Sequence, residues 1–273
     1  SPEENILYSP EFAEEAANLF QDLYPLYLFS VSDDIESDVA PFIEDGIEPV
    51  EPEEKYSIDG LQTDTFLDAA FLDEVETLLL DKGQVVFYGP PGTGKTFVAK
   101  KFARYFVDKT GGEVRTVQFH PSYAYEEFVE GIRPHSEKGQ LTYPIEPGLF
   151  RRLCDEARHD LDRRYVLIID EINRGNLPRI FGELLYLLEY RNETEPVVLP
   201  YSKKRFTIPG NVYMIGTMNT ADRSIAIVDH ALRRRFHFVP FKPEPEILLS
   251  WLQDKGKETM DWVADLLREL NHR

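Results

Sequence analysis

Gln84-Val85-Val86-Phe87-Tyr88-Gly89-Pro90-Pro91-Gly92-Thr93-Gly94-Lys95-Thr96 runs from a short apolar strand into a glycine-rich turn. Lys95 then opens a helix to Val107 that shows Val98, Phe102 and Phe106 on one face. Gly89 to Thr96 fits the phosphate-binding pattern in full, between a strand and a helix as that chemistry requires. The glycines let backbone N–H groups point at phosphate oxygens, and the helix adds its positive N-terminal end. Lys95 is expected to reach the β- and γ-phosphates, and the Thr96 hydroxyl to ligate Mg²⁺.

Outward from this loop the strand, loop and helix pattern repeats. Val114–Phe119, Tyr165–Ile169, Val212–Gly216 and Phe236–Val239 are further apolar strands. Helices are predicted at Leu149–Leu161 and Pro178–Tyr190, and a β-hairpin pairs Val197–Leu199 with Arg205–Ile208. Five short apolar strands separated by helices predict a parallel α/β sheet covered on both faces. Upstream, helices are expected over Glu11–Phe29 and Asp64–Leu80, with a linker from Ser30 to Gly60 between them.

Asp170-Glu171 closes the buried strand Tyr165–Ile169, at the carboxyl end where such sheets keep their ligand chemistry. Asp170 is expected to hold Mg²⁺ through water, and Glu171 to polarise the water that attacks the γ-phosphate. Two acids here favour a hydrolase over a kinase, which needs a second substrate's hydroxyl at that point. Thr217-Met218-Asn219-Thr220-Ala221-Asp222-Arg223-Ser224 empties from another apolar strand, and Arg233-Arg234-Arg235 ends the short helix that follows. Water positioning and contact with a neighbouring subunit's phosphates are the candidate uses of this polar cluster. His120, His135 and His159 lack partners at metal-ligand spacing and read as structural, and Cys154 as a core residue. Tyr123, Tyr125 and Phe128 suit either a substrate-gripping loop or a subunit contact.

Four stretches carry a resemblance to the McrB family of AAA+ nucleotidases, the GTP-hydrolysing motor subunits of modification-dependent restriction systems. They are the phosphate loop with Phe97-Val98-Ala99, the segment Phe119 to Phe128, the run Asp170 to Leu185, and Met218 to Phe236. The resemblance implies an AAA+ P-loop fold with a nucleotide-binding set from Gly89 to Phe97, a metal set of Thr96 and Asp170, and Glu171 as the catalytic residue that polarises the attacking water. Asn219 matches the sensor position, on a strand between those leading to Lys95 and Asp170, and Asp222 belongs to the same cluster. Arg234 and Arg235 match arginines that act across a subunit interface, where neutralising the transferring phosphoryl group is worth roughly 10³ to 10⁵ in rate. Also implied are GTP (or ATP) with Mg²⁺, a ring that is a hexamer, and a partner nuclease of the McrC type. The base-reading motif Asn-Lys-x-Asp is absent, so the case for GTP is the family's alone. An ATP-dependent remodelling protein of the MoxR-like kind and a non-hydrolysing assembly scaffold are the competing readings.

The chain's net charge of −19 is uneven: residues 1–60 hold 17 acids against Lys55 alone. That stretch reads as an acidic extension too poor in Lys and Arg to grip DNA, so DNA contact is expected through a domain missing from this chain or through the partner. The expected organisation is therefore the extension 1–60, an AAA+ domain 61–241 and a partial helical lid 242–273 with helices at Glu246–Leu252 and Glu258–Asn271. With one cysteine, no signal-like start and no membrane-length apolar run, a cytoplasmic setting without membrane contact is the expectation.

Overall fold

The computed structural model describes residues 55–137, 140–191, 196–220, 230–257, 260 and 262–271. The chain separates into two units, Ser1–Glu53 and Glu54–Arg273. The first lies outside the described residues, and with it the helix expected over Glu11–Phe29.

The second unit is built on the strands β1 (Gln84–Gly89), β2 (Glu113–Gln118), β3 (Tyr165–Asp170), β4 (Val212–Asn219) and β5 (His237–Pro240). They pair in the order β5-β1-β4-β3-β2, every pair parallel. Alternation sorts their side chains between two faces. Val85 and Phe87 join Val166, Ile168 and Ile215 in one core, against the helices α1 (Ile58–Thr65), α2 (Ala69–Lys82) and α3 (Lys95–Asp108). Val86 joins Leu167, Ile169, Val212 and Met214 in the other. There the covering helices are α4 (Leu149–Ala157), α5 (Leu177–Phe181) and α6 (Leu184–Glu189), with Leu232 from α7 (His230–Arg235) and Phe236 directly after it. This is the parallel sheet with helices on both faces that the strand pattern predicts. Helices α8 (Pro245–Asp254) and α9 (Trp262–Asn271) follow the sheet, joined by Arg268 Nη2 donating to Glu246 Oε1 at 2.9 Å.

Three local readings need correction. The helix expected over Asp64–Leu80 is two helices: Phe66 turns into the left-handed region at φ 56°, and Asp68 caps α2 by accepting from the Phe71 N–H at 2.6 Å. The first of them runs across residue 60, where the linker was expected to end, and Tyr56 beside it donates its N–H to Asp108 on α3. The helix expected over Pro178–Tyr190 breaks at Gly182, whose φ of 51° and ψ of −127° suit only glycine. Of the three residues expected at a gripping loop or a subunit contact, Phe128 is fully buried and Tyr125 nearly so, both as core, whereas Tyr123 is half-buried and stacks on Phe119 at 4.9 Å.

The pairing of Val197–Val198 with Arg205–Phe206 matches the expected hairpin. Two further antiparallel ladders, Glu130–Ile132 with Ile145–Pro147 and His135–Glu137 with Gln140–Thr142, have no counterpart in the sequence reading. Glu130 at their base is fully buried. It accepts from the N–H groups of Tyr201 (3.0 Å) and Ser202 (2.9 Å), and pairs with Arg151 on α4.

Candidate nucleotide site

Gly92 and Gly94 carry φ angles of 81° and 74°, and a Cβ on either would meet nothing within 4 Å. Backbone conformation rather than space therefore demands glycine at both. Gly94 turns the chain directly into α3, whose first N–H groups receive no side-chain cap. Lys95 is buried, its Nζ donating to the Pro90 carbonyl at 2.5 Å and to Thr93 Oγ1 at 3.3 Å. Burial lowers its pKa, an effect that the negative charges of Glu171 and Asp170 oppose. Phe97 is half-buried against the α3 core, with Lys101 over its ring.

The loop is closed from two sides. Gly89 accepts from the Thr220 N–H at 3.0 Å, and a Cβ at Gly89 would sit 2.0 Å from the Phe241 carbonyl oxygen. The ends of β4 and β5 thus press on the start of the phosphate loop, and glycine is needed there for space.

Asp170 ends β3 with Oδ1 accepting two hydroxyls, Thr96 Oγ1 at 2.7 Å and Thr217 Oγ1 at 2.5 Å. Thr217 in turn accepts from the Glu171 N–H at 3.2 Å. Glu171 stands in the left-handed region at φ 52° and ψ 44°, a strained conformation for a side chain of this kind. Its Oε1 accepts from Asn219 Nδ2 at 2.5 Å, while Oε2 is buried without a hydrogen bond and lies 3.4 Å from Arg174 Nε. Asn173 Nδ2 donates to the Asn219 carbonyl at 3.2 Å.

Lys95, Thr96, Asp170, Glu171 and Asn219 thus meet at the carboxyl edge of β1, β3 and β4, with the Asn219 strand between the other two. Thr217 and Asn173 join them, and the sequence reading assigned neither. Thr217 had one available signal, its position two residues before Asn219 on the same face of the strand. Asp222 lies outside the described residues.

Arg234 and Arg235 lie elsewhere. The Arg234 carbonyl accepts from Lys82 Nζ at 2.9 Å and the Arg235 carbonyl from Gln84 Nε2 at 2.6 Å, at the amino edge of β1. Gln84 and Gly89 are opposite ends of one strand, roughly 17 Å apart at the usual rise per residue. The two arginines also differ: the Arg234 side chain is exposed, whereas Arg235 donates to the Leu185 carbonyl at 2.6 Å and pairs with Glu189 at 2.7 Å.

Residues 84–236 match the AAA domain family of the dynein-related subfamily. The chain is 40% identical over 234 residues to the type IV methyl-directed restriction enzyme EcoKMcrB subunit of Escherichia coli K12, a match covering 82% of this chain and 50% of that one. It is 26% identical over 230 residues to the BsuMI restriction component YdiS of Bacillus subtilis, covering 69% of this chain and 67% of that one. The chain belongs to the AAA domain family and, within it, to the McrB family of AAA+ proteins. It spans half the length of the Escherichia coli relative. Family and site together make it a nucleoside-triphosphatase domain. Among the described residues no helix is long and apolar enough to cross a membrane.

Proposed function

We propose that this chain is the GTP-hydrolysing motor module of a restriction system, acting as a hexameric ring that drives a nuclease partner of the McrC type. The observation that carries the reading is the split between sheet edges. Groups suited to bind and attack a nucleoside triphosphate sit at the carboxyl edge, while the arginines sit at the amino edge, roughly 17 Å away along β1. Arg234 therefore cannot serve the chain's own nucleotide without rearrangement of the sheet, and a neighbouring copy is its natural client. A ring satisfies that requirement at every interface.

In the proposed hydrolysis, a water oxygen bonds to the γ-phosphorus as the bond to the β,γ-bridging oxygen breaks, and the water's proton passes to Glu171. Asn219 holds the Glu171 carboxylate and so sets the direction of that transfer. Lys95 balances charge on the β- and γ-oxygens, and Arg234 of the adjacent subunit does so from outside. The Thr96 and Asp170 oxygens fit Mg²⁺, a hard cation held by one or two protein oxygens together with water and phosphate. When bound, it neutralises charge on the phosphate oxygens.

GTP preference and the McrC-type partner are what the resemblance to the McrB family implies, and membership of that family supports them. Competition of GTP and ATP for the site, followed by turnover with and without a McrC-type partner, tests both. GTP is expected to bind more tightly and the partner to accelerate its hydrolysis. Clear ATP preference would overturn the reading in favour of an ATP-dependent remodelling protein. Equal inactivity of wild type and Glu171→Gln, with rings formed and partner present, would favour a non-hydrolysing scaffold.

A further inference from the structure

The amino edge of the sheet holds an arrangement that the nucleotide chemistry leaves unused. Helix α7 is six residues long, too short to hold its own geometry in water, yet it ends in three arginines. Its last carbonyls are fixed from β1 and α2: Gln84 Nε2 bridges the Arg235 and Leu188 carbonyls at 2.6 and 2.8 Å, and Lys82 Nζ holds the Arg234 carbonyl. From the other side α6 holds the Arg235 guanidinium, its Nε on the Leu185 carbonyl and its Nη2 on Glu189. The side chain of Arg235 is 15% exposed, and Arg233 and Arg234 beside it are exposed.

We propose that Glu189 is a positioning residue for the interface arginines: by pinning Arg235 it fixes α7, so that Arg234 projects toward the neighbouring subunit while Arg235 stays within its own. The duty that the triple arginine suggests is thereby divided. Arg235 is spent as an anchor, its guanidinium bonded to Leu185 and Glu189 of α6 and its carbonyl to Gln84 at the sheet edge, and reaching a neighbour's phosphate would break its pair with Glu189. An arginine supplied in trans works only from a defined position, since misplacement by about 1 Å costs roughly a hundredfold in rate. A carboxylate that locks the helix beneath it supplies that definition. Helix α6 also follows α5 and the Asp170–Asn176 loop in the chain, so the anchor belongs to the segment that begins at the chain's own nucleotide site.

This inference rests on the proposed completion of each site by a neighbour, and the experiment separates the two. Turnover is measured for Arg234→Ala, Arg235→Met, Glu189→Ala and the Glu189→Ala/Arg235→Met double variant, each alone and mixed with Glu171→Gln subunits. Those subunits have silent sites but intact arginines. Arg234→Ala alone is expected to lose about 10³-fold in kcat. Glu189→Ala and Arg235→Met are each expected to lose about ten- to a hundredfold in kcat at unchanged KM, and the double variant no more than the worse single, because the two act as one unit. Mixing is expected to restore turnover to all of them. Glu189→Gln, which keeps an acceptor oxygen, is expected to fall between wild type and Glu189→Ala, and it carries the test if the alanine variant does not fold.

Full turnover of Glu189→Ala beside an Arg235→Met as slow as Arg234→Ala would overturn the anchor and make Arg235 the crossing residue. Loss in Glu189→Ala that mixing does not restore would make Glu189 a residue of its own subunit's site or stability. Failure of mixing to restore Arg234→Ala, by contrast, rejects completion by a neighbour itself, whatever the Glu189 variants do.

Discussion

Thr217 joins the two acids of the site: its hydroxyl donates to Asp170 and accepts from the Glu171 N–H, with almost none of its surface exposed. Thr217→Val keeps the shape and removes both bonds. A buried N–H left without a partner costs about 1–3 kcal/mol. Thr217→Val is therefore expected to lower the unfolding free energy measured in urea by that amount and to slow turnover about tenfold by releasing Asp170 and the strained backbone of Glu171. Unchanged phosphate release would show that Thr217 only packs. Glu171→Gln is expected to retain nucleotide binding, read by fluorescence titration, while slowing turnover about a hundredfold or more. Asp170 and Glu171 were legible in the sequence because carboxylates are an unusual ending for an apolar strand, and Asn219 because it matches the sensor position of the family that the chain resembles. Thr217 was not, because threonine inside a strand is an ordinary β-former.

Elements reveal where local pattern and tertiary structure part. Pro178 to Tyr190 has the period of one helix, but the Tyr125 ring lies against Gly182, 3.2 Å from where a Cβ would stand, and the backbone turns there through a conformation closed to other residues. Gly182→Ala is expected to cost about 1–3 kcal/mol, measured as a lower urea midpoint; an unchanged midpoint would mean the two segments can fuse into one helix. The ladders after Phe128 are held by Glu130, whose buried carboxylate takes two backbone N–H groups and Arg151. Arg151→Met would leave that charge buried with its counter-ion removed. Such a change costs about 3–5 kcal/mol, so a large fall in thermal midpoint is expected, and a fall of under a degree would show that the two backbone bonds suffice. No residue in Glu130's neighbourhood in sequence announces this latch, because Arg151, Tyr201 and Ser202 reach it from distant parts of the chain.

At the scale of the molecule the proposed function gives the two edges of the sheet different duties, one facing the nucleotide and one bearing the arginines. A site completed by a neighbour makes turnover depend on assembly. Specific activity per chain is expected to fall on dilution below the assembly concentration while nucleotide binding by each chain persists. Specific activity that holds constant after dilution to monomer, checked by mass photometry, would count against completion by a neighbour.

The sequence by itself determined the class of the protein. Strand, glycine-rich loop and helix must follow one another along the chain for a phosphate loop to form, and acids and carboxamide must follow their own strands, so linear order records them. Only the tertiary structure decided how the arginines differ. Arg234 and Arg235 are adjacent and identical in type, and what separates them is contact with Leu185 and Glu189, some fifty residues earlier in the chain. Chemical type is a property of the chain, whereas exposure and partnership arise only when distant segments pack together.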